Sequence, residues 1–102
     1  MLFRSVQVDR YYDDSKQTAA LKAKGETDET IGFHAGLVDT AELMAIYPAG
    51  VDLERLQNIH GSLAPTGASG NPRRASADLG ATLIAMRIAA AVEQLKALGA
   101  GN

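Results

Sequence analysis

His34 is followed by two small residues, Ala35 and Gly36, and then by an acid and a hydroxyl, Asp39 and Thr40. An imidazole with an ordinary pKa of about 6.5 can take and give a proton at neutral pH. The small neighbours leave room beside it for a ligand or for another stretch of backbone. Chemistry alone leaves two readings open: a proton-transfer group, or a loop histidine bonded to backbone. Asp39 and Glu42 have the spacing of an N-cap and its capping-box partner, with aspartate in place of the commoner serine or threonine. Asp39 could also orient His34 or a substrate, because a carboxylate can cap through one oxygen and use the other.

The remaining candidates are weaker. The other histidine, His60, is far from His34 along the chain, and with scattered acids the pair matches no metal-ligand spacing. Asp13 and Asp14 could be ligands, but a helix cap explains them as well. The segment Gly67-Ala68-Ser69-Gly70-Asn71-Pro72-Arg73-Arg74 offers glycines, a helix start and two arginines. Its glycines are too irregular for a phosphate loop and no lysine follows, so the helix-start reading is preferred to an anion site.

The elements that must position these residues are legible in outline. Val6 and Val8 alternate with Gln7 and Asp9, which predicts a strand over 6–12. Asp14 and Gln17 have capping-box spacing before a predicted helix over 15–24, which Gly25 stops. A second helix is expected over 40–47, closed by Pro48 and Gly50, and Val51–Leu56 can add a turn. Asn71 and Pro72 suit the cap and first position of a last helix over 72–98. On that helix Leu79, Leu83, Met86 and Ala90 share one side, while Ile84, Ile88, Val92 and Leu95 lie nearly opposite. A helix apolar on two sides calls for cover on two sides. The short upstream elements are too few to supply both, so a partner or a further part of the same protein is expected.

With 102 residues and 46% hydrophobic content, the chain can form one small core. The net charge of -2, without blocks of like charge, gives no reason to expect a nucleic-acid partner. The absence of cysteine rules out disulfides, thiolate zinc sites and a thiol nucleophile within these residues. No apolar run approaches the roughly 18 residues of a membrane span, and no membrane partner is expected. The cellular address stays open. Residues 1–5, Met-Leu-Phe-Arg-Ser, contain the four residues that a common sequencing adapter encodes. They are expected to be non-native read-end sequence, with residues 6–102 the carboxyl-terminal part of a longer protein.

Three segments, Tyr11-Tyr12-Asp13-Asp14, residues 21–56 with the His-Ala-Gly motif, and residues 67–80, occur in an order that resembles creatininase-family amidohydrolases. The likeness spans nearly all of residues 6–98, and His-Ala-Gly followed by an acid and threonine is its most specific part. It implies the carboxyl-terminal part of an α/β fold, a three-layer α/β/α domain, mostly helical in this segment with one or two strands. It also implies hydrolysis of a C–N bond of a small amide, cyclic amides included, and assembly into homo-oligomers. On that likeness His34 is the catalytic proton-transfer residue, and Gly36, Asp39 and Thr40 bind or orient substrate.

The resemblance further implies two divalent ions, zinc or manganese, in the full-length protein. The family's ligand motifs lie in its amino-terminal part, so no metal-ligand residue is assigned here. The chain alone is expected to bind neither ion and to be inactive. Ala41 also departs from the pattern, standing where serine is common. The alternative reading is a short, non-catalytic interaction module that oligomerises through its last helix.

Overall fold

In the computed structural model, residues 5–100 are described. Four α-helices carry the chain: α1 (Ser15–Ala23), α2 (Asp28–Ile31), α3 (Leu37–Ile46) and α4 (Ala77–Ala100). Single 3-10 turns at Asp9–Tyr11, Pro48–Gly50, Leu53–Leu56, Ala64–Thr66 and Pro72–Arg74 link or flank them. None of the helices among the described residues is long and apolar enough to cross a membrane.

The core lies where α3 crosses α4. Leu21, Leu37, Ala41 and Leu83 are essentially sealed from solvent, with Ile31 and Ala75 at the margin of the same cluster. Burying a leucine or isoleucine side chain in this way is worth about 1.5–3 kcal/mol. The two helices can approach closely because small residues meet at the crossing. A methyl group added at Gly80 would overlap the backbone carbonyl of Ala41.

A polar cluster completes this packing. Glu42 of α3 pairs with Arg87 of α4 at 2.8 Å, and the two side chains are only 19% and 15% exposed. Gln17 of α1 donates to the same Glu42 oxygen at 3.0 Å and to the Leu83 carbonyl at 2.9 Å. Arg87 also donates to the Tyr11 carbonyl at 3.0 Å, and its guanidinium lies 5.7 Å from the Tyr11 ring centre. Gln17, Glu42 and Arg87 thus tie three helices and the amino-terminal turn together. The Gln17 Oε1 atom is buried without a partner among the described residues.

Several expectations change. The strand over 6–12 does not form: residues 5–8 have no regular structure and Asp9–Tyr11 is a 3-10 turn. A strand needs a partner for its backbone groups, and the described residues contain no strand, only one antiparallel bridge between His34 and Ser69. The amino-terminal segment is tied instead to Gln94 of α4, which accepts from the Arg10 N–H and donates to Asp9. The mostly helical character stands, without the expected strands. Residues 1–4 of the expected non-native segment lie outside the described residues.

The capping box at Asp14 and Gln17 is also absent, because Gln17 is drawn into the core and Asp14 makes no side-chain cap. The last helix starts later than its sequence suggests. Asn71 caps only the Pro72–Arg74 turn, and α4 begins after Ser76, whose hydroxyl accepts from the Leu79 N–H at 3.1 Å. Buried Ala75 takes extended backbone between the two, which breaks the helix there.

The two-sided reading of the last helix agrees with the structure. Leu83 is buried, with Leu79 and Met86 against the core, whereas on the opposite face Ile88, Val92 and Leu95 are 42–53% exposed and Ile84 is half-buried. The molecule is correspondingly long, 59 × 28 × 24 Å, with a radius of gyration of 16.5 Å. A compact domain of this size has about 13 Å.

The crossing makes a direct prediction. Gly80→Ala should gain about 1 kcal/mol in helix propensity and lose about 1–3 kcal/mol to overpacking against backbone. Urea unfolding should show a net loss of about 1 kcal/mol. Gly99→Ala, where the added methyl meets nothing within 4 Å, should be neutral or slightly stabilising. Equal effects at the two positions would refute the close crossing.

Candidate functional site

The His-Ala-Gly motif forms the loop between α2 and α3. Thr27 and Thr30 cap α2 reciprocally, and Gly32 ends it at a φ of 65°. The loop at Ser69–Gly70 then packs directly on the motif. Ser69 N–H donates to the His34 carbonyl at 2.7 Å, and Asn71 N–H donates to the Thr30 carbonyl at 2.8 Å. A methyl group at Gly32 or Gly36 would overlap the Ser69 carbonyl oxygen, so both glycines are needed for this approach.

Helix α3 starts earlier than its sequence suggests, with Gly36 as N-cap and Leu37 as first helical residue. Asp39 is therefore not the cap but the third helical residue. Its Oδ2 accepts from the Ala35 N–H at 3.0 Å, the backward reach of an acid in the first turn. Thr40 adds a longer contact, its hydroxyl donating to the Ala35 carbonyl at 3.4 Å. Glu42, expected as the capping partner, belongs to the core pair with Arg87. Between these holds Ala35 takes a φ of 51°, left-handed backbone uncommon for a residue other than glycine.

Asp39 and Thr40 thus hold the two peptide units on either side of Ala35, the residue after His34, while Gly36 is buried beside them. The His34 side chain is exposed, with no hydrogen bond among the described residues. Two clefts flank the motif. One of about 180 Å³ is lined by Asp14, Asp28, Gly36, Asp39 and Arg87 among others. The second, about 360 Å³, runs past Ala35, Asp39 and Thr40 between α3 and the residues of the 50s and 60s.

A further pair braces the Ser69–Gly70 side. Glu26 accepts from Arg74 at 2.7 Å and from the Thr30 hydroxyl at 2.8 Å, with its side chain 11% exposed. Burial works to raise the Glu26 pKa, but the bonds from Arg74 and Thr30 outweigh it and hold the carboxyl below its ordinary value. This brace and the Glu42–Arg87 pair were not anticipated. The available signal was a lone arginine in the long uncharged stretch of α4 between Asp78 and Glu93. Such a charge asks for a partner without naming it.

Among the described residues, no three His, Asp or Glu side chains gather so as to hold a metal ion. The residues present therefore do not fit the two ions that the resemblance implies, and no step below is routed through them.

The fold and this loop define a helical scaffold that holds an exposed histidine beside a strained peptide. A family model for the creatininase family, described as creatinine amidohydrolase, matches residues 3–95. The chain belongs to the creatininase family, and membership points to amidohydrolase activity in general. No curated protein and no solved structure gave a match.

Two measurements check this geometry. Asp39→Ala removes the bond to the Ala35 N–H and should cost about 1 kcal/mol, with faster hydrogen exchange at Ala35. Asp39→Asn keeps an acceptor and should recover most of the loss. An unchanged Ala35 exchange rate in Asp39→Ala would rule out the hold.

The lowered Glu26 pKa sets the second. Its contribution is present above the unfolded carboxylate value of about 4.3 and is lost as pH falls through the lower folded value. Stability should therefore fall on acidification, and Glu26→Gln should flatten that slope. An unchanged slope would show that Glu26 does not contribute.

Proposed function

We propose that this chain supplies the carboxyl-terminal part of an amidohydrolase active site, with His34 as the proton-transfer residue for cleavage of a C–N bond in a small amide. The observation that carries the reading is the family match over residues 3–95, which includes the His-Ala-Gly loop. The exposed His34 on a rigidly held loop is in keeping with it. In the reaction water adds to the carbonyl carbon, the C–N bond breaks, and the nitrogen leaves with a proton. His34 delivers that proton to the departing nitrogen and recovers one from the added water. Asp39 and Thr40 act by fixing the peptide units on either side of Ala35 and so the direction in which the imidazole is presented, and Gly36 admits the close Ser69 backbone.

The exposed residues Ile88, Val92, Leu95 and Leu98 support the view that α4 packs against a further part of the protein or a second copy. The same face favours a second reading, a non-catalytic interaction module. A chimera separates the two. Residues 6–95 would replace the equivalent segment of a complete, active creatininase-family enzyme, and amide hydrolysis would be followed for the chimera and its His34→Ala variant. The proton-transfer reading expects kcat to fall about 10²- to 10⁴-fold with KM little changed. An active chimera whose kcat is indifferent to His34→Ala would remove the catalytic role and leave the interaction module.

A further inference from the structure

We infer that the larger cleft beside the motif is a substrate subsite, and that it takes the branched aliphatic substituent of an amide whose N–H is accepted by Asp39. The inference rests on the amidohydrolase reading and narrows its substrate class. The cleft holds about 360 Å³, within the roughly 300–1,000 Å³ of small-molecule sites. Its wall is mainly aliphatic: Leu43, Val51, Leu53, Leu56 and the buried Leu63 line it. Its polar edge includes the motif, since Ala35, Asp39 and Thr40 line the same cleft, together with Asp52 and Thr66.

The two sides suit different parts of one ligand. Asp39 uses Oδ2 to hold the Ala35 N–H, while Oδ1 makes no hydrogen bond among the described residues. A free carboxylate oxygen on an exposed residue accepts an amide N–H and repels a carboxylate. The aliphatic wall gains from covering by methyl and methylene groups and offers nothing to a small polar ligand. A ligand seated this way lies against Ala35, the residue next to His34 in the chain. The smaller cleft that Asp39 also lines is more polar, with Asp14, Asp28 and Arg87 beside Ile31, Phe33 and Val38.

The test reads binding alone, by titrating the isotope-labelled chain with isovaleramide, acetamide and isovalerate and following backbone amide resonances. Isovaleramide should shift Ala35, Val51, Leu56 and Ala68 saturably. Acetamide, with three fewer carbons, should bind at least about tenfold more weakly, and isovalerate should not bind at these residues. Ala68→Leu, which fills the cleft, and Leu56→Asn, which makes its wall polar, should each weaken isovaleramide at least about fivefold. A dispersed spectrum certifies the fold of each variant, and either variant alone suffices. Equal affinity for acetamide, no saturable shift, or shifts unaffected by a folded variant would overturn the inference. Because no turnover is measured, that failure leaves the role of His34 to the chimera, and failure of the chimera leaves the cleft intact.

Discussion

Everything else in this molecule depends on how closely α4 can lie on α3. With Gly80 against the Ala41 carbonyl, the helices come near enough for Leu83 and Leu37 to be sealed between them. At that separation Glu42 and Arg87 also meet at 2.8 Å, with Gln17 closing on the same carboxylate. A pair so little exposed is not a large net source of stability, because removing both charges from water offsets much of their attraction. Its effect is on register. A slide of α4 by one turn would leave a half-buried charge without its partner, a cost the apolar contacts alone would not impose.

The same logic of close backbone approach builds the loop that carries the family motif. Gly32 and Gly36 let the Ser69 carbonyl reach the loop, and the Ser69 N–H returns a bond to the His34 carbonyl. Asp39 holds the following peptide from inside α3, so the left-handed Ala35 is over-determined from both sides. Strain of this kind persists only where the surroundings enforce it. The small residues of the motif are therefore explained by packing in the first place, and the imidazole is the group left free to act on something else.

Uncovered apolar surface is the counterpart of this well-held core. Ile88, Val92 and Leu95 follow one another along α4 at helical spacing and are exposed. The shape is correspondingly elongated, 59 Å in its longest dimension, and this apolar surface is not covered by the described residues. Several of the described carboxylates are occupied in braces and the core pair.

What the sequence determined by itself was set by neighbours close along the chain. Helical periodicity placed α1, most of α3 and the two-sided α4, and residues 32–40 carried the family likeness that the match over residues 3–95 bears out. Tertiary structure decided every feature that needed a distant partner. The alternation of Val6 and Val8 could not become a strand without a second strand to bond, and Gln94 took its place. Asp39 looked like a cap, but the Ser69–Gly70 loop lets α3 begin at Leu37 and turns Asp39 back to Ala35. Gln17 and Glu42 had capping spacing, yet Glu42 pairs with a lone arginine on α4 and Gln17 bonds Glu42 and the Leu83 carbonyl. Local pattern states which conformations a segment can take, whereas the partner of a buried polar group is chosen by which backbones can come close enough to meet.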